Sequence, residues 1–199
     1  YNLNYRSINQ FTFTNIFANA NYSKRSNSIQ SRANINGIDA IRTSTNSNFP
    51  RETYSLSGRI DKRFKNFKLN FSTRFNYSDF TNEVNNQIRN SKSLNQNYSA
   101  SIETNFRDKP NFEIGYKYNI NDYNNGGIEN QFITESPFAR IDAYFGKGFV
   151  FTTEYSYNHY RNQDQTLNKF RFMDADLTYN KDGSKSVSYT HLRAHETIV

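Results

Sequence analysis

From Phe67 to Ser78 the chain alternates between two kinds of residue. Phe67, Leu69, Phe71, Phe75 and Tyr77 share one parity, interrupted by Thr73, while Lys68, Asn70, Ser72, Arg74, Asn76 and Ser78 share the other. A period of two sends successive side chains to opposite faces of a β-strand. The stretch therefore predicts a strand with one aromatic, apolar face and one polar face. The pattern recurs along the chain and predicts about eight strands.

The first strand is expected over about residues 8–35, with Phe11, Phe13 and Phe17 on one parity. Tyr22 follows after a phase slip that reads as a bulge. Asn36-Gly37 signals a turn. The second strand, about 39–64, sets Tyr54, Leu56, Ile60 and Phe64 against Thr53, Ser55, Ser57, Arg59, Asp61 and Arg63. Lys65-Asn66 turns into the third strand described above, which fades towards Val84. The fourth ends in Tyr98, Ala100, Ile102 and Phe106, and the fifth carries Phe112, Ile114, Tyr116, Tyr118 and Ile120. The sixth ends in Ala139, Ile141, Ala143 and Phe145, and the seventh carries Phe149, Phe151, Thr153, Tyr155 and Tyr157. The eighth, about 168–180, sets Met173, Ala175, Leu177 and Tyr179 against Asp174, Asp176 and Thr178.

Connections are expected tight at 65–66, 108–111, 146–148 and 181–184, and long near 84–95, 123–130 and 161–168. Alternating short and long connections characterise outer-membrane barrels, with short periplasmic turns and long surface loops. Aromatics at strand ends, as at Phe64/Phe67, Phe106/Phe112 and Phe145/Phe149, would form an interfacial girdle on the side of the short turns. The expected fold is all-β: an antiparallel, up-and-down transmembrane β-barrel segment. It would supply about eight strands of a larger barrel and stand as an open curved sheet on its own.

Composition sharpens this reading. Only 35% of the residues are hydrophobic and the mean hydropathy is −0.94. Such values usually indicate disorder, but 18 Phe and 15 Tyr in register argue against it. The 31 Asn suit a wet face and polar loops. No run of 18 apolar residues occurs, which excludes a transmembrane helix but not a barrel, whose strands contribute apolar residues only alternately. With no Cys, disulfides, thiolate zinc ligands and a thiol nucleophile are excluded. The chain begins at Tyr1 without a leader pattern, so any export signal is expected outside it.

The net charge of +7 raises nucleic acid as a partner. A single-strand binder needs aromatics and cations on one face. Here they alternate onto opposite faces, so no nucleic-acid partner is expected. The polar face carries Arg59, Asp61, Arg63, Lys68, Arg74, Glu103, Arg107, Glu113, Lys117, Arg140, Asp142, Glu154, Asp174 and Asp176. Interleaved signs read as a solvated inner wall. Asp174 and Asp176 share a face, but no nucleophile or histidine adjoins them, so the chain is not expected to be an enzyme. His159 falls on the apolar parity with Tyr155 and Tyr157 and reads as a rim aromatic. Lys24, Arg25 and Arg32 lie near a loop, where they could meet lipid phosphates. No cofactor, metal ligand set or specific ligand-binding residue is assigned.

The alternation stops after Ser186. Residues Val187–Thr197 match one reading frame of a common transposase-type sequencing adapter without a break. Residues 187–199 are therefore expected to be adapter read-through and unstructured, leaving 1–186 as the natural barrel segment. This removes His191, His195 and Glu196 from consideration as metal ligands, despite their helical His-x3-His spacing.

Several runs carry a family resemblance: Phe17-Ala-Asn-Ala-Asn-Tyr-Ser-Lys-Arg-Ser-Asn-Ser-Ile29, Ile35-Asn-Gly37, Tyr54-Ser-Leu-Ser-Gly-Arg-Ile60 and Phe67-Lys-Leu-Asn-Phe-Ser-Thr-Arg-Phe-Asn-Tyr77. Phe145-Gly-Lys-Gly-Phe149, Tyr155-Ser-Tyr157 and Met173-Asp-Ala-Asp-Leu-Thr-Tyr179 add to it. Over about residues 8–186 the chain resembles the outer membrane protein beta-barrel family, the C-terminal barrel part of TonB-dependent receptors. The resemblance implies a barrel of about 22 strands in a Gram-negative cell outer membrane. It also implies nutrient uptake, with outer-membrane lipid, the receptor's own plug domain, TonB and a small ligand as partners. A final, aromatic-ended strand is expected soon after Lys185. A plug-less porin or small barrel and a secreted β-rich adhesin are the alternatives.

Overall fold

The computed structural model describes residues 1–36, 38–107, 109–145, 148–163, 165–180 and 187–198. Twelve strands form one sheet: β1 (Asn2–Asn9), β2 (Thr14–Arg25), β3 (Ser28–Asn36), β4 (Asp39–Ser47), β5 (Arg51–Phe64), β6 (Phe67–Val84), β7 (Gln87–Thr104), β8 (Asn111–Asn125), β9 (Ile128–Phe145), β10 (Phe149–Asn162), β11 (Gln165–Asn180) and β12 (Val187–Ile198). The main path runs β1-β2-β5-β6-β7-β8-β9-β10-β11-β12, each neighbouring pair antiparallel, and the sheet is not closed. β3 and β4 form a hairpin that prolongs the β2–β5 pair. It leans on the end of β6 through a short parallel contact, Arg32 to Glu83 and Ala33 to Val84.

The sequence-based count of eight strands is too low. The expected first strand contains a reversal, because residues 10–13 turn between β1 and β2. Asn9 Oδ1 accepts the backbone N–H groups of Phe11 (3.0 Å) and Thr12 (2.9 Å), and Phe13 adopts φ 49°. The phase slip between Phe17 and Tyr22 is no bulge: the β2–β5 register runs unbroken from Thr14–Lys62 to Arg25–Arg51, and Phe17 stands on the face opposite Tyr22, beside Arg6. The expected second strand is cut at 48–50, where Pro50 cannot donate to a ladder. β1 itself was passed over because its alternation, Tyr1, Leu3 and Tyr5 against Asn2, Asn4 and Arg6, lasts only six residues.

The expected sorting of connections by length is also overturned. Asn85 and Asn86 alone join β6 to β7, with φ 50° and 61°, as a two-residue hairpin turn requires. Gly126 and Gly127, φ 61° and 94°, do the same between β8 and β9. The polar stretches expected as long loops continue as projecting ladder, since backbone pairing is indifferent to side-chain polarity. The turn at Lys65-Asn66 stands as expected, with Lys65 at φ 48°. At 105–110 the connection is longer than expected, and β7 ends at Thr104. Asn111 holds it shut, its Oδ1 accepting Phe106 N–H at 2.6 Å. The expected turns at Gly37, at Gly146-Lys147 and at 181–184, and Asp108 of the expected 108–111 turn, lie outside the described residues.

Residues 187–198, expected to be unstructured, pair with β11 from Asn180–Val187 to Lys169–Ile198. A free β11 edge presents unpaired N–H and C=O groups that a following segment can satisfy whatever its side chains.

The sheet has almost no core. Ile133 is the one buried hydrophobic residue among those described, and Asp61, Ser91 and Ser136 are the buried polar ones. No helix among the described residues is long and apolar enough to cross a membrane.

Candidate functional site

Register turns the alternation into two continuous surfaces. On the apolar surface, Leu69, Ile102, Ile114, Ala139, Tyr155 and Met173 form one unbroken row across β6 to β11. Nothing covers it: Ile114 is 64% exposed, Leu56 51% and Met173 50%. On β5 the apolar run extends from Tyr54 to Phe64, and on β6 from Phe67 to Tyr77. Both runs span about ten steps of 3.3 Å.

One end of this surface is marked by tyrosines. Tyr1, Tyr22, Tyr54 and Tyr77 stand side by side, with ring centroids 6.1, 4.7 and 5.9 Å apart in turn. Directly beyond them lies a charged row, Lys24, Glu52, Asp79 and Lys92. Lys24 pairs with Glu52 at 2.7 Å and Lys92 with Asp79 at 3.9 Å. The Tyr54 hydroxyl donates to Glu52 (3.2 Å) and that of Tyr77 to Asp79 (3.4 Å). The hydrogen bond from Lys24 holds the Glu52 carboxyl below the usual carboxylate range, and Glu52 in turn raises Lys24. The opposite end carries Phe64 and Phe67, then Phe145 stacked on Phe149 at 5.7 Å, with Tyr179 beyond at 4.6 Å. The phenylalanine ends were legible in the sequence. The tyrosine row was not, because its members come from separate segments and only register aligns them.

The apolar run also slides along the sheet. In the row from Leu69 to Tyr155, Leu69 stands two residues from the Phe67 end of its run and Tyr155 six from the Phe149 end. Four residues over four strand gaps is a drift of one per strand. With strands about 4.8 Å apart and about 3.3 Å per residue, a level band then crosses strands inclined at about 35°.

The other surface is polar and concave, and all three buried polar residues lie on it. A hollow of about 800 Å³ opens on it, lined from β1 to β8. Its rows differ sharply in chemistry. Asn2, Asn21, Ser55, Asn76, Asn95 and Asn121 make a row with no charge. Asn19 donates to Asn2 at 2.9 Å, and Ser55 bonds Asn76. The next two rows hold Arg74 and then Arg6, Arg59 and Lys117. Carboxylates gather towards the phenylalanine end, where Lys68 meets Glu103 (3.2 Å) and Arg140 meets Asp142 (3.1 Å). The signs expected to interleave over the whole wall interleave only in that lower part.

The remaining candidates fall as follows. Asp174 and Asp176 sit on the polar face of β11, opposite Glu154 and Thr152. The His159 Nδ1 lies 3.2 Å from Glu135 and its Nε2 3.0 Å from Thr166. Arg161 joins it, bonding Glu135 (3.2 Å) and the Tyr118 hydroxyl (3.4 Å). Of the three basic loop residues, Lys24 is paired with Glu52, and Arg32 lies 2.9 Å from Glu83 and bonds Asn86. Arg25 stands opposite Arg51. Among the described residues no cluster of three His, Cys, Asp or Glu could hold a metal ion.

Compared with known proteins, the chain matches no family model and no curated protein.

Proposed function

We propose that residues 1–180 form part of the wall of an outer-membrane β-barrel, the barrel of a TonB-dependent receptor for nutrient uptake. The observation that carries this is the uncovered apolar band. At about ten residue steps inclined by about 35°, it stands roughly 25–27 Å tall, the height of the lipid-facing band of such barrels. A tyrosine row whose hydroxyls reach a charged row suits the boundary between hydrocarbon and headgroups. The concave polar surface is then the lumen, and the backbone, paired strand to strand along the main path, leaves few groups unsatisfied in lipid away from the outer edges. In this role the wall seals the membrane and its inner surface faces the plug and the passing ligand. The family resemblance favours a receptor over a porin.

Residues 187–199 we read as adapter read-through. Ser188 and Thr190 stand opposite Tyr179 and Leu177, while Ala194 and Leu192 stand opposite Met173 and Ala175, so β12 continues the apolar band only in part.

The chain has no Trp, so a single introduced indole reports its own surroundings. Phe71→Trp is expected to be quenched by brominated lipid in reconstituted bilayers, and Ser72→Trp is not. Equal quenching at both positions, or none at either, overturns the membrane reading. Long-read sequencing of the source locus decides the rest: a plug-coding region upstream supports the receptor, a short frame without one leaves a porin or small barrel. The same reads decide whether Val187 onward is genomic.

A further inference from the structure

The hollow on the concave surface has a one-sided charge. Its ionisable lining apart from tyrosine consists of Arg6, Arg59, Arg74 and Lys117, with no carboxylate. Arg59 Nε is tied to Asp61 at 2.9 Å, from outside the hollow. The others have no carboxylate partner among the described residues. Arg6 lies over the Phe17 ring at 5.4 Å, and Lys117 over Phe138 at 4.7 Å. Aromatic faces fix a cation without neutralising it. Around these charges carboxamides and hydroxyls, as at Asn19, Asn97 and Ser99, alternate with apolar lining such as Phe17 and Ala18. Arg6 and Lys117 are five strand spacings apart, about 24 Å. That distance exceeds any single small anion and suits a polymer segment several units long.

We propose that this hollow binds an acidic oligosaccharide, its anionic groups on Arg6, Arg74 and Lys117 and its hydroxyls on the intervening amides. Uronate and sulfate present the same chemistry to these groups. A single-stranded nucleic acid fits less well, because Phe17 and Phe138 are already covered by cations and offer no open face for a base. The assignment rests on reading this surface as a barrel lumen.

The test is calorimetric titration of the chain, refolded in micelles, with a galacturonate hexamer, a sulfated hexasaccharide, neutral maltohexaose and a hexanucleotide. At least one acidic sugar is expected to bind about tenfold or more tighter than maltohexaose, and to weaken as salt rises. The better of the two acidic sugars identifies the anion. Arg74→Gln and Lys117→Gln should each weaken it about tenfold, while Lys92→Gln, on the opposite surface, should not. Far-UV dichroism of each variant must match the parent, and a variant that fails this is replaced by Arg6→Gln. Equal binding of the neutral sugar, tighter binding of the nucleotide, or indifference to these substitutions overturns the proposal. Quenching of Phe71→Trp in parallel samples separates the two readings. Insertion without sugar binding removes the ligand alone, and failure to insert removes the barrel and the ligand together.

Discussion

The ring of Phe138 on β9 occupies the space where a side chain at Gly115 on β8 would project. A Cβ there would overlap the ring and come within 2.9 Å of Ser101 Cβ. A glycine leaves a gap in a strand that a cross-strand aromatic can cover. Gly115→Ala is expected to destabilise the sheet by about 1–3 kcal/mol in urea unfolding. The double variant Gly115→Ala/Phe138→Ala should recover much of that loss. Additive losses would show that the two residues are not coupled.

The two faces should respond oppositely to charge. Phe71→Lys is expected to cost about 2–4 kcal/mol of folding free energy into bilayers, the penalty for a cation at mid-depth. Ser72→Lys, one residue on, should cost well under half of that. Similar losses at both positions would contradict the assignment of faces.

The tyrosine row can be dissected at Tyr54, which contacts both Tyr22 and Tyr77. Tyr54→Ala removes two ring pairs and should cost about 1–3 kcal/mol beyond the area lost. Tyr54→Phe keeps the rings and loses the hydroxyl's bonds, chiefly the one to Glu52, for about 0.5–1.5 kcal/mol. Equal effects would mean that the hydroxyl and not the ladder matters.

The Lys24–Glu52 pair sets a pH window. Glu52 has a lowered folded-state pKa, so its contribution is present above the ordinary carboxylate pKa and fades as pH falls through the lowered one. Lys24 has a raised pKa, so its contribution is present below the ordinary ammonium pKa and fades as pH rises through the raised one. The pair is exposed, and its effect on stability should be small and screened by salt. Carboxyl NMR titration is expected to give a higher midpoint for Glu52 in Lys24→Gln. An unchanged midpoint would assign the shift to some other cause.

Strand type was legible in the sequence wherever one face is uniformly apolar, and the strand from Phe67, expected to fade towards Val84, does run to Val84. It failed where polarity hides structure. Asn85-Asn86 looked like loop interior, although asparagine is among the few residues that accept positive φ, and two of them suffice for a hairpin turn. The β1 strand escaped notice because its alternation is short: Leu3 and Tyr5 alternate with Asn2, Asn4 and Arg6, and the pattern breaks at Ser7-Ile8. The cationic hollow could not be read from spacing at all. Arg6, Arg59, Arg74 and Lys117 stand far apart along the chain and meet only once register is fixed.

Every contact on the main path joins strands that are also successive hairpins, apart from β2 and β5, and β3–β4 bridges that gap with a hairpin of its own. Among these strands the one main-path pairing between non-consecutive elements is β2 with β5. Each new strand can zip onto the edge left by the last, and the excursion from Ser28 to Ser47 shortens the one longer loop that must form. Assembly becomes a sequence of local steps at a moving edge, and its speed is set by how quickly that edge meets its next strand rather than a stranger's.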